Sequence, residues 1–488
     1  MIKLNEYKKN HICFIFEEVV KSIKGLFVFI VLCFANLDEG GIYGVLILIL
    51  LCVINSILKW IMIEFYINNN ELIYKSGIIN KKKLEIPFNK INTIDINKNI
   101  IDRMFNICTL KVDTGAVKEV GQEIKIKINK EEAYKIRNFI NGINIKSAYE
   151  DLEKIESPTN KAFSKTISFK EIFLYSISKS KILWAVGGIF FIGDFLKNLE
   201  ETFKFSITNN IVENVEIERL FSIGLVKSIG MVILLFMFIY IFISIIFMIF
   251  EMIRLYNFTL TNDKNDIKIK YGLLTVKEYS IPRNKIYAIR YKQNLLQQLF
   301  KIFQIEVVTV GYGDEQNEQA ILYPVANREF INSTLNLILP TFEFDGEINK
   351  PTKDVLSRFI IKRTIILIIF VIIPLFFLIP KSYLIIKLIL FFILILLNIF
   401  LGFLNYKNTS LGISKELLVA SSGGIEKVTT LIKQEYLQSV EIRENPFQRK
   451  KSVCDYKLDI YSNKIGDIVF IKNMKKILLN TIEENLIL

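Results

Sequence analysis

The sequence predicts an α+β membrane protein in which three antiparallel β units each follow a hairpin of two apolar helices. Apolar residues make up 51% of the 488 residues, yet 23% are charged. This combination is expected when charge-free stretches of about 20 residues cross a bilayer and the rest of the chain faces water. The apolar stretches occur in three pairs, and one strand-rich pattern returns after each pair. Both a pure helical bundle and a disordered chain are disfavoured.

Six apolar stretches, arranged as three hairpins, are the candidate membrane spans. The clearest is 231–250, which has no charged residue and is typical of a helix in lipid. Asp194 lies near the end of the third stretch, where a carboxylate reaches interfacial water. The six stretches are 13–36 (apolar from 25), 42–63, 182–196, 225–253, 360–379 and 383–404.

The distribution of basic residues predicts which side of the membrane the β units occupy. Lysines cluster in the long segments after each hairpin, as at 81–83, whereas Asp38 and Glu39 lie in the short connection of the first hairpin. Lys and Arg near the ends of spans stay on the cytoplasmic side. We therefore expect a multi-pass protein of the cell membrane whose termini and β units are cytoplasmic.

One pattern of residues occurs three times. The stretch from Gly77 to Ile94 aligns without a gap with the stretch from Gly272 to Ile289 at a constant shift of 195 residues. A weaker copy around Gly423 is shifted by 346 residues from the first. Alternating apolar and polar residues predict strands in each copy. Helical patterns follow at 131–140, 328–339 and 472–486, so each copy is predicted to be a curled antiparallel sheet covered by a C-terminal helix.

The repeated pattern resembles a known bacterial domain. Its shared positions in the first copy are Gly77, Ile86, Pro87, Lys90, Ile91, Ile94 and Asn99. This pattern resembles the bacterial pleckstrin-homology (PH) domain of the second type, and three such units behind helical hairpins resemble the larger members of the YdbS/YdbT family. The resemblance implies three PH-like, seven-stranded β-barrels, each with a C-terminal helix, and no catalytic residues. It also implies a smaller paralogous PH-domain membrane protein as partner, or self-association.

The chain is accordingly predicted to consist of three hairpins, three PH-like domains and two linkers. The hairpins are 13–63, 182–253 and 360–404, the PH-like domains are 64–145, 254–340 and 405–488, and the linkers are 146–181 and 341–359.

A six-residue motif at Thr309 to Asp314 has the letters of a potassium-channel filter, in which backbone carbonyls replace the ion's hydration shell. A filter must lie in a re-entrant loop between two spans. This segment is instead far from the fourth and fifth stretches and lies beside Glu306 and Glu315. We interpret it as a strand followed by a glycine-rich turn.

Two sets of residues are candidate contact sites. Asn recurs at one repeat position, where its side chain favours a turn or contacts a partner, in Asn99, Asn294 and Asn445. Basic residues of the first two copies form either a solvated face or contacts to anionic lipid headgroups. Each basic residue near such a lipid surface contributes about 1 kcal/mol of attraction. These residues are Lys81, Lys82, Lys83, Lys90 and Lys285.

Catalytic, cofactor and metal sites are not predicted. The chain has one His and five scattered Cys, which do not form a metal-binding pattern. Acidic residues such as Asp102 do not recur as an acid–base pair, and the lysines alternate with Ile rather than with stacking aromatics, which argues against nucleic-acid binding.

These observations favour a non-catalytic membrane scaffold with three cytoplasmic PH-like domains, in contact with the lipid bilayer. The family resemblance suggests a hetero-oligomeric complex in envelope stress or antimicrobial-peptide tolerance. One alternative is a component of a transporter or exporter, although few polar residues, such as Asn55, Ser56 and Ser244, lie in the predicted spans. The other alternative is a sensor of anionic lipids.

Overall fold

A computed structural model shows an α+β chain with 21 strands among the residues that it describes. The described residues are 7–26, 39–68, 70–78, 80–91, 93–113, 124–150, 163–179, 225–262, 266–309, 320–378, 384–461 and 468–486.

Each repeat unit has seven strands, of which four precede and three follow a short 3₁₀ helix. The first unit contains β1 (Lys8–Lys9), β2 (Glu64–Ile67), β3 (Glu71–Ser76), β4 (Lys82–Pro87), β5 (Thr93–Lys98), β6 (Ile107–Asp113) and β7 (Ile124–Asn129). The second contains β8 (Phe163–Thr166), β9 (Thr259–Asn262), β10 (Asp266–Tyr271), β11 (Val276–Pro282), β12 (Ile286–Asn294), β13 (Phe303–Thr309) and β14 (Ala320–Ala326). The third contains β15 (Glu347–Asn349), β16 (Ser410–Ile413), β17 (Leu417–Ser422), β18 (Glu426–Lys433), β19 (Leu437–Arg443), β20 (Val453–Ile460) and β21 (Ile468–Lys475).

The strands pair across unit boundaries. The four sheets are ordered β1-β2-β3-β4, β7-β6-β5-β11-β10-β9-β8, β14-β13-β12-β18-β17-β16-β15 and β19-β20-β21. The last three strands of one unit therefore continue into the first four strands of the next. The predicted three-fold antiparallel repeat is confirmed. However, the seven strands of a unit do not form one barrel through strand pairing in the described part of the chain, because β5 pairs with β11 and β12 with β18 instead of with β4 and β11.

The helices alternate with these strands. They are α1 (Cys13–Gly25), α2 (Glu39–Met62), α3 (Ile100–Met104), α4 (Lys130–Glu150), α5 (Phe169–Ser178), α6 (Leu225–Arg254), α7 (Leu295–Phe300), α8 (Arg328–Phe330, a π-helical Ile331–Leu335, and Asn336–Ile338), α9 (Leu356–Leu367, a π-helical Ile368–Ile372, and Ile373–Leu378), α10 (Leu384–Asn408), α11 (Pro446–Arg449) and α12 (Leu478–Leu486).

Three helices are long and apolar enough to cross a membrane in the part of the chain that is described: Tyr43–Met62, Met237–Arg254 and Lys387–Asn408. They correspond to the second, fourth and sixth predicted spans, so three of the six predicted spans are found. A helix, α1, begins at Cys13, where the first predicted span begins, but residues 27–38 of that prediction and the third predicted span with Asp194 lie outside the described residues. The fifth is helical, but a π-helical segment interrupts it between Leu367 and Ile373.

The hairpin glycines explain why the repeat pattern begins with Gly. Gly77, Gly272 and Gly423 have φ of 106°, 112° and 115°, a backbone conformation that costs little only for glycine. A Cβ at these positions would lie 1.8 to 2.0 Å from a backbone carbonyl oxygen three residues later. Each glycine therefore permits the tight turn between the third and fourth strands of its unit.

The C-terminal helices differ from prediction in the third unit. Helices α4 and α8 follow the last strands of units one and two, as predicted. The predicted helix at 472–486 is wrong in its first part, because β21 extends to Lys475 and the helix begins at Leu478. Ile471 and Met474 are fully buried and three residues apart on β21, but they face Tyr456 and Cys454, which are two residues apart on β20, so β21 contains a bulge. This bulge interrupts the alternation of period two that would have identified a strand.

Candidate functional site

The units are joined by two antiparallel strand pairings, which we call the first and second joints. In the first joint β5 pairs with β11 through Val276 with Lys98, Lys277 with Asn97 and Glu278 with Ile96. In the second joint β12 pairs with β18 over seven facing pairs, from Ala288 with Ile432 to Asn294 with Glu426.

Both joints have the same register. Val276 faces Lys98 in the first joint, and Lys427 faces Gln293 in the second. Gln293 is the repeat equivalent of Lys98 at a shift of 195, and Lys427 is the equivalent of Val276 at a shift of 151. The backbone arrangement is therefore repeated, although the side chains that face each other differ.

A buried carboxylate, surrounded by cations, lies at the first joint. The carboxylate of Glu278 lies 3.3 Å from Nζ of Lys98 and 3.1 Å from Nζ of Lys270, and Nη1 of Arg137 is 4.0 Å away. Tyr134 donates a hydrogen bond to the same carboxylate. Because Tyr134 and Arg137 belong to α4 and Lys98 to β5, Glu278 links two elements of the first unit to β11 of the second.

The surroundings of Glu278 favour its charged form. Burial alone would raise its pKa, but the hydrogen bond from Tyr134 and the charges of Lys98 and Lys270 outweigh burial, so the pKa of Glu278 lies below its usual value. Burial, together with the hydrogen bond to Glu278, raises the pKa of Tyr134. The phenol therefore remains a donor and the carboxylate an acceptor across the neutral pH range.

The second joint is apolar. Leu417, Val419 and Leu431 of the third unit pack into the core of the second unit, and Ala288 and Val308 of the second unit pack into the core of the third. The described core of the first unit, by contrast, contains only residues of that unit. The second joint therefore depends on shared apolar burial, and the first joint depends mainly on backbone pairing and charge.

The three recurring asparagines are helix N-caps. Asn294 and Asn445 each accept a hydrogen bond from a backbone N–H three residues later, at 2.9 Å. The side chain at that later position accepts a hydrogen bond from the backbone N–H of the asparagine, which completes a capping box. These later residues are Asp102, Gln297 and Gln448. The sequence predicts a turn or a partner contact at Asn99, Asn294 and Asn445, and the structure places each of them at the start of a short helix.

Asp102 also forms a buried ion pair within the first unit. Its carboxylate lies 2.8 Å from Nζ of Lys127, and the two side chains are 1% and 3% exposed. Glu17 of α1 binds the same ammonium. Burial would lower the pKa of Lys127, but these two carboxylates raise it above its usual value. The contact of Glu17 with Lys127 connects α1 to the β unit.

A contact between neighbouring units recurs next to both joints. Nη2 of Arg103 in α3 donates to the carbonyl of Leu273 at 2.8 Å. Nε2 of Gln298 in α7 donates to the carbonyl of Gly424 at 3.3 Å. Gln298 is the repeat equivalent of Arg103, and Gly424 is the equivalent of Leu273. The short helix after each joint strand therefore holds the glycine hairpin of the next unit.

These hairpins lie at the ends of the apolar helices. The backbone N–H of Leu273 donates to the carbonyl of Ile253 at the end of α6, and Nδ2 of Asn408 at the end of α10 donates to the carbonyl of Gly423. Exposed apolar side chains occur in the short helices that contact these hairpins, up to 77% for Met104. They are Met104 and the following Phe105, and Leu299 and Phe300 of α7.

The predicted basic residues are divided between two ends of the strands. Lys81, Lys82 and Lys83 lie beside the Gly77 hairpin and are exposed. Lys90 and Lys285 end the 3₁₀ helices at the opposite end of β4 and β11. The five lysines do not form one cluster, so a shared headgroup contact by all of them has no geometric support.

A polar cavity of about 290 Å³ lies between α5, the end of α6, the second unit and the start of β18 in the third unit. Its walls carry three cations, Lys179, Arg254 and Lys292, and two carboxylates, Glu306 and Glu426. Lys292 already binds Glu306 at 2.8 Å, and Lys179 and Arg254 both bind another carboxylate. The charges of the cavity are thus balanced within the chain. No group of three or more metal-binding side chains occurs among the described residues.

Known proteins resemble this chain along most of its length. The family described as "Bacterial PH domain" matches residues 23–143, 218–337 and 365–479. The UPF0699 transmembrane protein YdbT of Bacillus subtilis (strain 168) is 24% identical over 449 residues, which cover 90% of this chain and 88% of that protein. Each match covers the last six strands of one unit, and the apolar helices agree with a transmembrane relative. The chain therefore belongs to the bacterial PH domain family and is a YdbT-like transmembrane protein with three PH repeats.

Proposed function

We propose that the protein is a non-catalytic membrane scaffold whose three PH-like units form one cytoplasmic platform for other membrane proteins. The observation that carries this proposal is the pairing of β5 with β11 and of β12 with β18. Independent tethered domains would not need shared sheets. Continuous sheets hold surfaces of different units at fixed distances, which is the physical requirement for a scaffold.

The proposed platform rests on the cytoplasmic side of the bilayer. Six membrane-crossing helices in three hairpins would return every unit to the same side. The contacts of the Gly272 and Gly423 hairpins with the ends of α6 and α10 support this arrangement. The exposed apolar side chains of Met104 and Leu299 would enter the bilayer interface, and the lysines at 81–83 would face anionic headgroups without a need for headgroup selectivity.

Crosslinking in native membranes tests the scaffold proposal. Wild-type protein should recover a distinct membrane partner, and Glu278→Ala, which opens the first joint, should reduce that recovery about tenfold. Glu435→Ala is the matched control because Glu435 lies outside the first joint and its side chain is 63% exposed, in an ion pair with Lys433. Equal recovery from the wild type and both variants would contradict a role for the continuous platform. Substrate flux in reconstituted vesicles would favour a transporter instead.

A further inference from the structure

The series of joined units ends in two strand edges that carry no pairing partner in the described part of the chain. These are the outer edge of β4 in the first unit and the outer edge of β19 in the third. In repeat terms, β4 corresponds to β11 and β18, and β19 corresponds to β5 and β12. The open edges of β4 and β19 therefore correspond to the two strands that pair with each other in both joints.

The open edge of β4 is more exposed than its paired equivalents. Lys83 and Glu85 are exposed, whereas Glu278 and Ser280 at the same positions of β11 are 9% and 6% exposed. Unpaired edges expose backbone N–H and C=O groups to any passing strand. Lysines on such an edge repel a strand that carries positive charge and favour one that carries negative charge.

The common register of the two joints predicts which residues would meet at a third joint. Lys81 is the equivalent of Val276 and Lys427, and Glu444 is the equivalent of Lys98 and Gln293. A third joint with this register would place Lys81 directly opposite Glu444. It would also extend β4 from Lys82 to Lys81 and β19 from Arg443 to Glu444.

The charges at the two open edges are complementary. Compared with the first joint, the positive and negative residues have exchanged strands. There the ion pair of Lys98 with Glu278 joins two diagonal positions. The same two positions carry Gln293 and Thr429 in the second joint, and Glu444 and Lys83 at the open edges. An edge with Glu444 would therefore attract Lys83 of another β4 but repel a strand of the β11 type with Glu278.

The side-chain contact to the glycine hairpin of the next unit also has a possible donor in the third unit. Arg103 and Gln298 bind the hairpin of the next unit in the first and second joints. Their equivalent in the third unit is Arg449, whose side chain is 67% exposed and binds Glu444 at 3.2 Å. The carbonyl that corresponds to Leu273 and Gly424 belongs to Ile78 of a first unit. The open strand edges and the Arg449 side chain thus supply, for a third joint, the same kinds of contact that the two existing joints use.

We propose that β19 of one chain pairs antiparallel with β4 of a second copy of this chain, in the register of the existing joints. Such head-to-tail contacts are heterologous, so they form closed rings or open rows in the plane of the membrane. The proposal names one partner for the proposed scaffold and rests on that function. It adds that the platform extends beyond one molecule through strand addition.

Disulfide formation between copies tests the proposed pairing. In a full-length chain with its five cysteines replaced by serine, one tagged copy carries Lys81→Cys and a second, differently tagged copy carries Glu444→Cys. Directly facing residues in antiparallel strands have Cα atoms about 4.5 to 5.5 Å apart, within reach of a disulfide. Mild oxidation in membranes should join the two tags. Lys90→Cys in place of Lys81→Cys, at the other end of β4, should reduce this product at least about tenfold.

Charge reversal provides a second test of the proposed pairing, which does not depend on engineered cysteines. When all copies carry Glu444→Lys, or all carry Lys83→Glu, co-purification of two differently tagged chains should fall about tenfold. When all copies carry both changes, it should return to within about twofold of wild type. Failure of the cysteine pair to crosslink, or equal co-purification of all variants, overturns the inference. If a different partner is still captured in a Glu278-dependent way, the scaffold proposal stands while self-pairing fails.

Discussion

Glu278→Ala should detach the first unit from the second while the second and third remain joined. The change leaves Lys98, whose side chain is 10% exposed, without its carboxylate, and loss of one partner from a buried ion pair costs about 3 kcal/mol. The first joint has only three facing residue pairs and no apolar core shared with the next unit. Hydrogen exchange of the β5 amides and of the first residues of β11 should accelerate roughly 100-fold.

The second joint provides the control for this experiment. Thr429→Ala at the equivalent position should change exchange in β12 and β18 little, because shared apolar burial stabilises that joint. Acidification should act like Glu278→Ala. A lowered pKa means that the contribution of Glu278 is present above the ordinary carboxyl pKa of about 4.3 and is lost as the pH falls below it. If Glu278→Ala and Thr429→Ala change hydrogen exchange equally in their respective joints, the charge of Glu278 does not account for the difference between the two joints.

Asp102→Ala should strongly destabilise the first unit. It leaves the ammonium of Lys127, on a side chain that is 3% exposed, with only the partly exposed Glu17 as a partner. It also removes one half of the capping box at Asn99. Together these losses should cost about 3 to 5 kcal/mol. Thermal unfolding in detergent, combined with hydrogen exchange in β6 and β7, measures the effect and assigns it to the first unit.

Gln297→Ala separates the two contributions to this effect. Gln297 occupies the same capping position in the second unit and accepts from the backbone of Asn294 at 3.0 Å, but it is uncharged. Its replacement should cost only about 1 kcal/mol, the usual value of a cap. If Asp102→Ala and Gln297→Ala destabilise their units equally, the buried ion pair contributes nothing beyond the cap.

The repeat and its turns could be read from the sequence because they depend on local geometry. Gly77, Gly272 and Gly423 recur because a positive φ is required there, and Asn recurs because each copy starts a short helix. The pattern Asn-x-x-Asp or Asn-x-x-Gln, present in all three copies, would have identified a capping box rather than a turn. That signal was available and was missed.

The joints could not be predicted because they depend on partners far apart in the chain. Lys98 and Glu278 are 180 residues apart, and alternation of apolar and polar residues indicates a strand without indicating its neighbour. The strands that begin each unit were missed for another reason. β1, β8 and β15 have two to four residues and precede the apolar helices, so they are too short to produce a pattern.

A pair of engineered disulfides tests the continuous platform most directly. In the chain without native cysteines, Asn97→Cys with Lys277→Cys crosses the first joint, and Arg290→Cys with Thr430→Cys crosses the second; both are facing pairs. The account predicts that mild oxidation in membranes closes both bonds within a single chain, identified by mass spectrometry of the linked peptides. Free thiols at 97 and 277 under conditions that close the second pair would contradict it, because the first unit would then be a separate domain.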